Sequence, residues 1–544
     1  MIRLAGGRVI DPVNGRDGTG DLWIENGRIV PAPPGGPKPK QTYDLKGRIV
    51  MAGGIDIHSH IAGGNVNTAR LLLPEHRRGH LARPDSTPLS NAGWSTSETG
   101  RLYAAMGFTT VVEPAMSPSH ALHAHMELAD IPIIDKAALC ILGNDDYLLS
   151  LLRAKASPDA VRDYVAWMVS TTRALGVKVI NAGAAAAFKS NVRTFALDDV
   201  VPDYGVSSRQ IVLALQRAVE ELGIPHPLHV HCNNLGAPGS ADTAAATMQA
   251  ADGQRIHFAH LQFYGYGVEG DRKFSSAAAR LAEEVNARKN VTVDVGQVMF
   301  CDTVTVSSDV LRQFSARAQA RPRKWVMWDG EGNGGGIVPY QYRARSFYNA
   351  VQWAVGLELF LLINDPWRVF FTTDHPNGAP FTAYPQIFAL LMDRHVRAEW
   401  IARLPKAAMA MTTLASIARE YTLPEIAIMT RAAPARLLGL KDRGHLGPGA
   451  VADVAVYTDD PDKARMFGSA DYVFKGGELV VRGGEVVKER WGKALTVDTP
   501  RAAQTARRMR KYYDDTYGLS TDLFAVPEHA VGREEPFGTV PCAG

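Results

Sequence analysis

The chain has 544 residues and a net charge of +3, with 46% hydrophobic and 21% charged residues. This length allows one large catalytic domain and a smaller one, and the near-neutral charge gives no sign of a nucleic-acid-binding surface. Four cysteines without a CxxC pair argue against both a disulfide framework and a cysteine zinc site. Because Met1 is followed by no apolar leader and no apolar run reaches membrane-spanning length, the sequence predicts a cytoplasmic protein without membrane contact.

Short strands and turns occupy both ends of the chain. Residues 1–52 alternate apolar and polar positions in short pieces, with two Asn-Gly turn signals between them. The same texture returns between residues 453 and 487. We therefore predict that residues 1–52 and 440–497 pair into one composite β-sandwich. Residues 498–544 begin with a basic helical stretch, which predicts a helix and tail with a solvated or partner-facing surface.

Strand-like and helix-like segments alternate through residues 53–439. Alternation of this kind implies parallel strands joined by helical crossovers. Eight such units predict an α/β fold with a (β/α)₈ barrel, and the apolar character of several strands fits burial on both faces. The predicted barrel strands are Ile55–His60, Thr109–Glu113, Ala138–Leu142, Val177–Asn181, Leu228–His231, Ile256–His260, Val291–Val295 and Val369–Asp374.

A long connection follows the seventh predicted strand. Residues 301–345 exceed what a strand-to-helix loop in such a barrel requires, which indicates a functional loop or lid. They contain a glycine-rich run, Gly330–Gly336, that formally matches the GxGxxG pattern of phosphate-binding loops. Only a short strand-like piece precedes this run, and no clear helix follows it directly. A flexible loop is therefore a better interpretation than a phosphate cradle.

Potential metal ligands gather at the predicted carboxyl ends of the barrel strands, where active sites of this fold lie. His58 and His60 stand two residues apart, so their side chains project toward one point, as suits a divalent metal such as zinc. Lys178 taken alone could be an ordinary strand lysine, and Asp374 an ordinary turn residue. One shared metal site explains the whole set better than a separate reason for each residue. The candidate ligands are His58, His60, Lys178, His231, His260 and Asp374.

Some neighbouring residues are ambiguous. His229 shares a strand face with His231, so either could be a buried core histidine. His257 and His260 are predicted to lie on opposite faces of their strand, so that only one of them points into the barrel. Glu113 also ends a predicted strand, but it precedes a proline, and we interpret it as a loop-shaping residue outside the site.

The order of these residues along the barrel is specific. HxH on the first strand, lysine on the fourth, histidines on the fifth and sixth and aspartate on the eighth resembles the amidohydrolase superfamily. Residues 46–56 look like the lead-in of that superfamily to its first barrel strand, and residues 430–453 look like its closing segment. The resemblance implies that the six candidate ligands hold two divalent metals, usually zinc, and that a carbamylated Lys178 bridges them.

Four runs narrow the resemblance, namely residues 176–181, 229–236, 294–297 and 372–382. Together they are similar to the A subunits of formylmethanofuran dehydrogenases and of their bacterial relatives, the formyltransferase/hydrolase complexes. The resemblance implies hydrolysis of a linear formamide C–N bond, in which N-formylmethanofuran or its methylofuran analogue gives formate and the free amine. It also implies a role in the one-carbon metabolism of methylotrophs, with the other subunits of such a complex as partners. Asp374 would then take a proton from water and pass it to the leaving amine.

The carrier of this family has a glutamate-rich tail, whose carboxylates arginine side chains could bind. Several arginines after the first barrel strand are candidates for that contact, although an ordinary basic surface loop is an equally good interpretation. They are Arg70, Arg77, Arg78 and Arg83. Asn233 and Asn377, which lie within two of the matched runs, are further candidates for substrate binding.

Three alternative functions stay open on the sequence alone. The same site could condense formate with the carrier amine, as the resemblance to the dehydrogenases implies. A cyclic-amide hydrolase of the hydantoinase type would share the metal ligands but should lack the contexts at residues 233–236 and 374–377. A non-catalytic scaffold subunit would have kept the barrel and lost the chemistry, and the presence of all six candidate ligands argues against it.

Overall fold

A parallel eight-stranded barrel occupies the middle of the computed structural model. Each strand pairs in parallel with the next along the chain, and the first and last strands meet at a bridge between Ser59 and His375. Every observed strand overlaps its predicted counterpart, so the predicted (β/α)₈ fold is confirmed. The barrel strands, first to eighth, are Gly54–Asp56, Phe108–Met116, Asp135–Leu142, Gly176–Ile180, Leu228–His231, Ile256–Phe258, Val291–Asp294 and Val369–Phe370.

Helices cover the outer face of the barrel, which is why its strands are apolar on both sides. The structure describes residues 1–35, 38–72, 96–192, 194–251, 253–307, 309, 336–500 and 503–543. The α-helices in these ranges are Gly64–Leu72, Thr96–Ala105, Ala121–Asp130, Asp146–Arg153, Pro158–Thr171, Ala184–Ala187, Ser208–Glu221, Ser240–Ala250, Ala278–Ala287, Phe347–Leu362, Tyr384–Met392, Arg394–Ile401, Lys406–Met409, Leu423–Ala427, Ala433–Leu437, Lys463–Gly468 and Ala503–Tyr517. Shorter 3₁₀ turns are Pro12–Asn14, Pro118–His120, Phe188–Ser190, Leu261–Tyr264, Phe381–Ala383, Leu414–Ser416, Thr521–Phe524 and Glu528–Ala530, and Ile428–Ala432 is a π-helical turn.

Two helix starts show how local sequence positions the fourth barrel strand. The Ser207 hydroxyl accepts from the backbone N–H of Gln210, whose side chain accepts in return from the Ser207 N–H, so a capping box begins Ser208–Glu221. Ser157 caps Pro158–Thr171, where proline at the first helical position loses no hydrogen bond. These helices flank the fourth strand, and they help to fix the position from which its lysine enters the barrel.

The N- and C-terminal segments form one nine-stranded sheet outside the barrel. Arg48–Ala52 joins the two segments, because it pairs in parallel with Ile2–Asp11 and antiparallel with Val454–Thr458. The sheet encloses its own apolar cluster, to which Leu4 and Phe474 belong. The predicted β unit built from both ends of the chain is thereby confirmed. Its strands are Ile2–Asp11, Arg16–Glu25, Arg28–Val30, Gln41–Asp44, Arg48–Ala52, Val454–Thr458, Tyr472–Lys475, Glu478–Arg482 and Glu485–Val486.

Residues 494–497, which the predicted boundary at residue 497 assigns to the terminal β-sandwich, instead form a strand, Ala494–Val497, that extends the barrel sheet. It pairs in parallel with the third barrel strand and with Phe537–Val540. The backbone N–H of Lys493 donates to Asp135 at 2.9 Å, and Leu495 is buried. A domain boundary read from the sequence cannot say which of two sheets offers an unpaired edge to these residues, and this explains the difference.

The predicted C-terminal helix is present as Ala503–Tyr517. It packs against Pro158–Thr171 and buries Thr505 and Met509. Its basic side chains are exposed, namely Arg507, Arg508, Arg510 and Lys511. The solvated surface predicted for this segment therefore lies on the outer face of the helix.

The long connection after the seventh strand contains an antiparallel ribbon of Asp302–Val306 and Ile337–Gln341. The glycine-rich run within this connection lies outside the described residues, except for Gly336. Two further small hairpins lie within the described residues, namely Val200–Val201 with Val206–Ser207, and Tyr266–Gly267 with Ser275–Ser276. Among the described helices, none combines the length and the apolar character needed to cross a membrane.

A buried ion cluster joins the barrel to the terminal sheet and predicts a large stability effect. Lys475 Nζ lies 2.8 Å from Asp135 and 2.6 Å from Asp453, and these side chains are each 5% exposed. Burial alone would raise the pKa of Asp135, but Lys475 and Arg443 outweigh it and hold that pKa well below its usual range. Lys475→Ala leaves the buried carboxylate of Asp453 without its paired cation and leaves Asp135 with Arg443 alone, so we expect the free energy of unfolding to fall by about 3 kcal/mol.

Urea denaturation followed by circular dichroism measures this loss. Lys511→Ala is the matched control, because Lys511 pairs with Asp515 on the surface, where the lysine side chain is 78% exposed. We expect the control to unfold at the wild-type urea concentration. An unchanged midpoint for Lys475→Ala would show that the cluster does not stabilise the fold.

Candidate metal centre

The six candidate ligands lie together at the carboxyl ends of the barrel strands, and all six side chains are buried. Five of them line one cavity of about 470 Å³, and the sixth, His58, is completely buried behind them. Closure of the barrel produces this convergence, because all parallel strands end at the same rim. The structure therefore brings together the residues that the sequence predicted for one site.

His58, His60 and Asp374 form the first group of ligands. Asp374 Oδ1 lies 3.0 Å from His58 Nε2 and 3.3 Å from His60 Nε2. The two histidines follow the first barrel strand and Asp374 follows the eighth, which are neighbours across the closure of the barrel. Two imidazole nitrogens and a carboxylate oxygen at these separations are donors that zinc accepts in proteins.

Two buried carboxylates orient the imidazoles of this group. Asp294 Oδ2 accepts a hydrogen bond from His58 Nδ1 at 2.9 Å, and Glu113 Oε1 accepts one from His60 Nδ1 at 3.1 Å. Burial alone would raise the pKa of both carboxyl groups, but attraction to the paired histidines and hydrogen bonds hold both values below their usual range. Ionised carboxylates only accept, so each histidine holds a proton at Nδ1 and directs Nε2 toward the site.

Sequence reasoning assigned neither carboxylate to the site. We interpreted Glu113 as a loop-shaping residue, and it does accept from the backbone N–H groups of Ile61 and Ala62, at 2.7 and 3.0 Å. The same carboxylate also holds His60, so it shapes the loop and orients a candidate ligand together. The available signal was its position at the end of the predicted second strand, which continues to Met116 in the structure, and Asp294 ends the seventh strand.

His231, His260 and Lys178 form the second group. His260 Nε2 lies 2.9 Å from His231 Nδ1. Lys178 Nζ lies 3.3 Å from His58 Nε2, so the lysine connects this group to the first. Burial lowers the pKa of Lys178, against the attraction of Asp374. The amine of Lys178 therefore loses its proton more readily than the amine of an exposed lysine does.

His257 and His260 both point into the barrel, contrary to the alternation predicted for their strand. The sixth strand ends at Phe258, and His260 has a φ of 33°, in the left-handed region. Alternation between faces requires extended backbone, so it stops before His260. His257 Nε2 donates to Asp294 Oδ2 at 3.0 Å and so belongs to the hydrogen-bonded core behind the ligands.

The pair His229 and His231 divides between core and cavity. His231 lines the cavity, where Asp309 Oδ2 lies 3.0 Å from its Nε2. His229 is completely buried. Its Nε2 lies 3.2 Å from His58 Nδ1, and its Nδ1 lies 3.3 Å from His226 Nε2. Burial lowers the pKa of His229 well below its usual value. It is thus the neutral core histidine of the two.

The donor set fits a divalent metal. Asp374 Oδ1 is buried and makes no hydrogen bond with the described residues, whereas Asp374 Oδ2 accepts from Asn377 Nδ2 at 3.0 Å. Buried polar atoms are normally paired, so an orphan oxygen facing two imidazole nitrogens calls for a cation. Imidazole nitrogens and a carboxylate are suitable ligands for zinc. The residues present therefore fit the metal centre that the sequence predicted.

The two asparagines proposed for substrate binding take different places. Asn377 lines the cavity beside Asp374, and its side-chain oxygen accepts from the backbone N–H of Val306 at 2.8 Å. Asn233 lies outside the cavity lining, where its amide donates to the Ser208 hydroxyl at 3.0 Å. Asn377 is therefore placed to contact a bound molecule, whereas Asn233 connects two structural elements.

Of the arginines predicted to bind carrier carboxylates, the structure describes only Arg70. Arg70 is buried, and its guanidinium donates to Thr96, to Asn67 and to the carbonyl of Ile61. Burial lowers the pKa of Arg70 to about 10. Arg70 is thus committed to internal contacts. The remaining candidates lie outside the described residues, namely Arg77, Arg78 and Arg83.

The cavity above the ligands has a mainly apolar wall. Its apolar lining includes Val66, Met116, Ile141, Leu235 and Phe263. Such a wall over a polar floor suits an organic molecule that presents one polar group to the ligands and keeps an apolar body against the wall.

This barrel and donor set define an enzyme class. The sequence profile of the Amidohydrolase family matches residues 41–487, and the chain therefore belongs to the amidohydrolase family. The matched range includes the whole barrel and most of the terminal sheet. The superfamily resemblance inferred from the strand-end residues is thereby confirmed.

Particular relatives are similar over nearly the whole chain. The chain is 52% identical over 535 residues to the A subunit of the formyltransferase/hydrolase complex Fhc of Methylorubrum extorquens, covering 97% of each chain. It is 39% identical over 518 residues to protein FwdA of Methanocaldococcus jannaschii, covering 91% of this chain and 90% of that protein. A chain in the crystal structure of the M. extorquens complex FhcABCD with methylofuran matches at a TM-score of 0.93 and 52% identity, with both chains covered completely. The narrower resemblance drawn from the four motif runs is confirmed.

Proposed function

We propose that this chain is the hydrolase subunit of a formyltransferase/hydrolase complex. It cleaves the formamide C–N bond of an N-formylated methylofuran-type carrier and releases formate and the free amine. The observation that carries the proposal is the 52% identity to the A subunit of Fhc along 97% of both chains. The buried donor set at the cavity floor supplies a physical basis for the chemistry.

Asp374 is the proton carrier of this reaction. Asn377 holds its Oδ2, and Oδ1 stays available at the cavity floor. Oδ1 takes a proton from the water that attacks the formyl carbon, and the carboxyl group then gives this proton to the amine nitrogen as the C–N bond breaks. The proton thus moves from water to the leaving group, and Asp374 returns to its ionised form.

The four histidines, Asp374 and Lys178 as its carbamate would hold two divalent metals, with zinc the metal that suits these ligands. Bound there, the metals would polarise the formyl carbonyl and lower the pKa of a water. The lowered pKa of Lys178 supports the modification, because the neutral amine is the form that adds carbon dioxide and loses a proton. Carbamylation replaces a cation, which would repel metals, by an anionic oxygen ligand.

The remaining contacts serve the carrier and the other subunits. The apolar cavity wall accepts the ring system of a furan-type carrier behind its formamide group. Arg77 and Arg78 stay candidates for the carboxylates of the carrier tail. The exposed basic face of Ala503–Tyr517 is a candidate contact for another subunit of the complex.

A formate-release assay tests the proposal. We expect the zinc-loaded chain to release one formate per N-formylmethylofuran consumed, and we expect a chelator to abolish the release and added zinc to restore it. Hydantoin serves as the comparison substrate and should not be hydrolysed. Turnover of hydantoin without formate release would identify a cyclic-amide hydrolase, and no turnover of either substrate in the assembled complex would favour a scaffold subunit. Incubation of formate with the free amine tests the condensing direction.

A further inference from the structure

The carboxylate of Asp294 connects ligands from two distant strands. Its Oδ2 accepts from His58 Nδ1 at 2.9 Å, and its Oδ1 accepts from the backbone N–H of His260 at 2.6 Å. His58 follows the first barrel strand, His260 follows the sixth, and Asp294 ends the seventh. One buried carboxylate is therefore bonded to both groups of candidate ligands.

The backbone of His260 depends on this contact. His260 has φ 33° and ψ 54°, a left-handed conformation that is uncommon for residues other than glycine. The hydrogen bond to Asp294 holds its N–H in that conformation. Gly296 closes on the same residue, since a Cβ added there would lie 2.5 Å from His260 Cβ. The residues at and just after the end of the seventh strand therefore fix the position of His260.

Both carboxylate oxygens of Asp294 accept hydrogen bonds from N–H groups. Besides His58 and the His260 backbone, His257 Nε2 donates to its Oδ2 at 3.0 Å. Asp294, His58 and His229 lie close enough together to be considered as a metal cluster of their own. Because its two oxygens already accept three hydrogen bonds, Asp294 is better suited to hold ligands than to act as one.

We propose that Asp294 is a positioning residue that orients His58 and His260 before metal binds. The proposal rests on the proposed function for the identity of the metal centre, but not on the reaction that the centre performs. Without this carboxylate the His58 ring would lose its orienting acceptor. Both ligands would then have to be ordered during binding, and that ordering weakens affinity.

Asp294→Asn in the full chain tests this role through metal affinity. Asparagine keeps the size of the side chain and one oxygen for the His260 N–H, but its NH₂ group cannot accept from His58 and His257. We expect the dissociation constant for zinc, measured by competition with a chromophoric chelator on the metal-depleted chain, to rise about 10- to 100-fold. Wild-type affinity in this variant would overturn the proposal.

Glu358→Gln is the matched control. Glu358 is a completely buried carboxylate in Phe347–Leu362 that accepts from the Thr413 hydroxyl at 2.8 Å, away from the candidate ligands. The variant replaces a buried carboxyl group in a helix outside the barrel strands and leaves the candidate ligands unchanged. We expect it to bind zinc as the wild type does, and an equal loss of affinity would show a general effect of the fold and overturn the assignment.

Nitrogen-15 NMR of the histidine-labelled, zinc-loaded wild type gives a readout that does not require any variant to fold. We expect His58 to carry its proton at Nδ1 and the metal at Nε2. A His58 that binds metal through Nδ1 would overturn the proposal. A third equivalent of zinc, absent from Asp294→Asn, would overturn it too, because Asp294 would then be a ligand itself.

These outcomes separate the positioning role from the proposed function. A chain that binds zinc tightly but releases no formate contradicts the proposed reaction and leaves the role of Asp294 standing. Unchanged zinc affinity in Asp294→Asn contradicts the positioning role even if the enzyme releases formate. A wild-type chain that binds no zinc overturns both.

Discussion

Asp374→Asn is expected to lower kcat for formate release by about 10³-fold when metal is supplied in excess. The asparagine side chain keeps the shape of the aspartate and an oxygen at the cavity floor. It cannot take a proton from water or return one to the amine, so the loss should fall on kcat rather than on KM. Steady-state formate release at several concentrations of the N-formylated carrier separates the two constants.

Asp365→Asn is the control for Asp374→Asn. Asp365 pairs with Arg368 at 3.2 Å, and its side chain is 42% exposed, so it lies outside the buried centre. We expect this variant to keep wild-type kcat and KM. If Asp374→Asn released formate within a few-fold of the wild-type rate, another group would have to carry the proton, and the role assigned to Asp374 would be wrong.

Lys178→Ala is expected to lose bound zinc and to lower kcat/KM by about 10³-fold. The alanine variant removes the bridging oxygen ligand that the carbamate would provide, although the histidines and Asp374 remain. Zinc per chain is measured by elemental analysis after dialysis against metal-free buffer. Added acetate should restore part of the bound zinc and part of kcat/KM, because a small carboxylate can occupy the space of the missing carbamate.

Carbon-13 labelling tests the modification itself. We expect wild-type protein supplied with ¹³C-bicarbonate to show a carbamate carbonyl signal that is absent from Lys178→Ala. Lys189→Ala is the matched control, since Lys189 is exposed after the fourth barrel strand, and it should keep the signal, the zinc and the activity. Full zinc content and full activity in Lys178→Ala would mean that the lysine is not a bridging ligand.

The candidate ligands were readable from the sequence because a barrel strand has a defined end. His58 and His60 stand two residues apart at the end of the predicted first strand, where the two-residue repeat places them on one side, and Asp374 ends the predicted eighth strand. The prediction failed where the backbone leaves that repeat. His260 follows the end of its strand in a left-handed conformation, so both it and His257 enter the barrel.

The orienting roles of the two carboxylates behind the ligands could not be predicted from the local sequence. Glu113 ends a predicted strand and Asp294 ends the observed seventh strand, and nothing in the sequence near them distinguishes an orienting carboxylate from a turn residue. Their roles depend on contacts with His60 and His58 on other strands. The placement of Ala494–Val497 in the barrel sheet is a similar case, because the local sequence does not determine which strand it will pair with.

The sequence by itself determined the kind of protein. Periodicity set the strands and helices, their alternation set the barrel, and the residue types at the strand ends set a site of imidazoles, lysine and carboxylate. Only the tertiary structure decided which atoms meet, including the approach of Lys178 to His58 and the hydrogen bonds that orient the ligands. The physical reason is that hydrophobic and backbone preferences act between near neighbours in the chain. Distances across a barrel follow instead from strand register, closure and packing, to which every strand contributes.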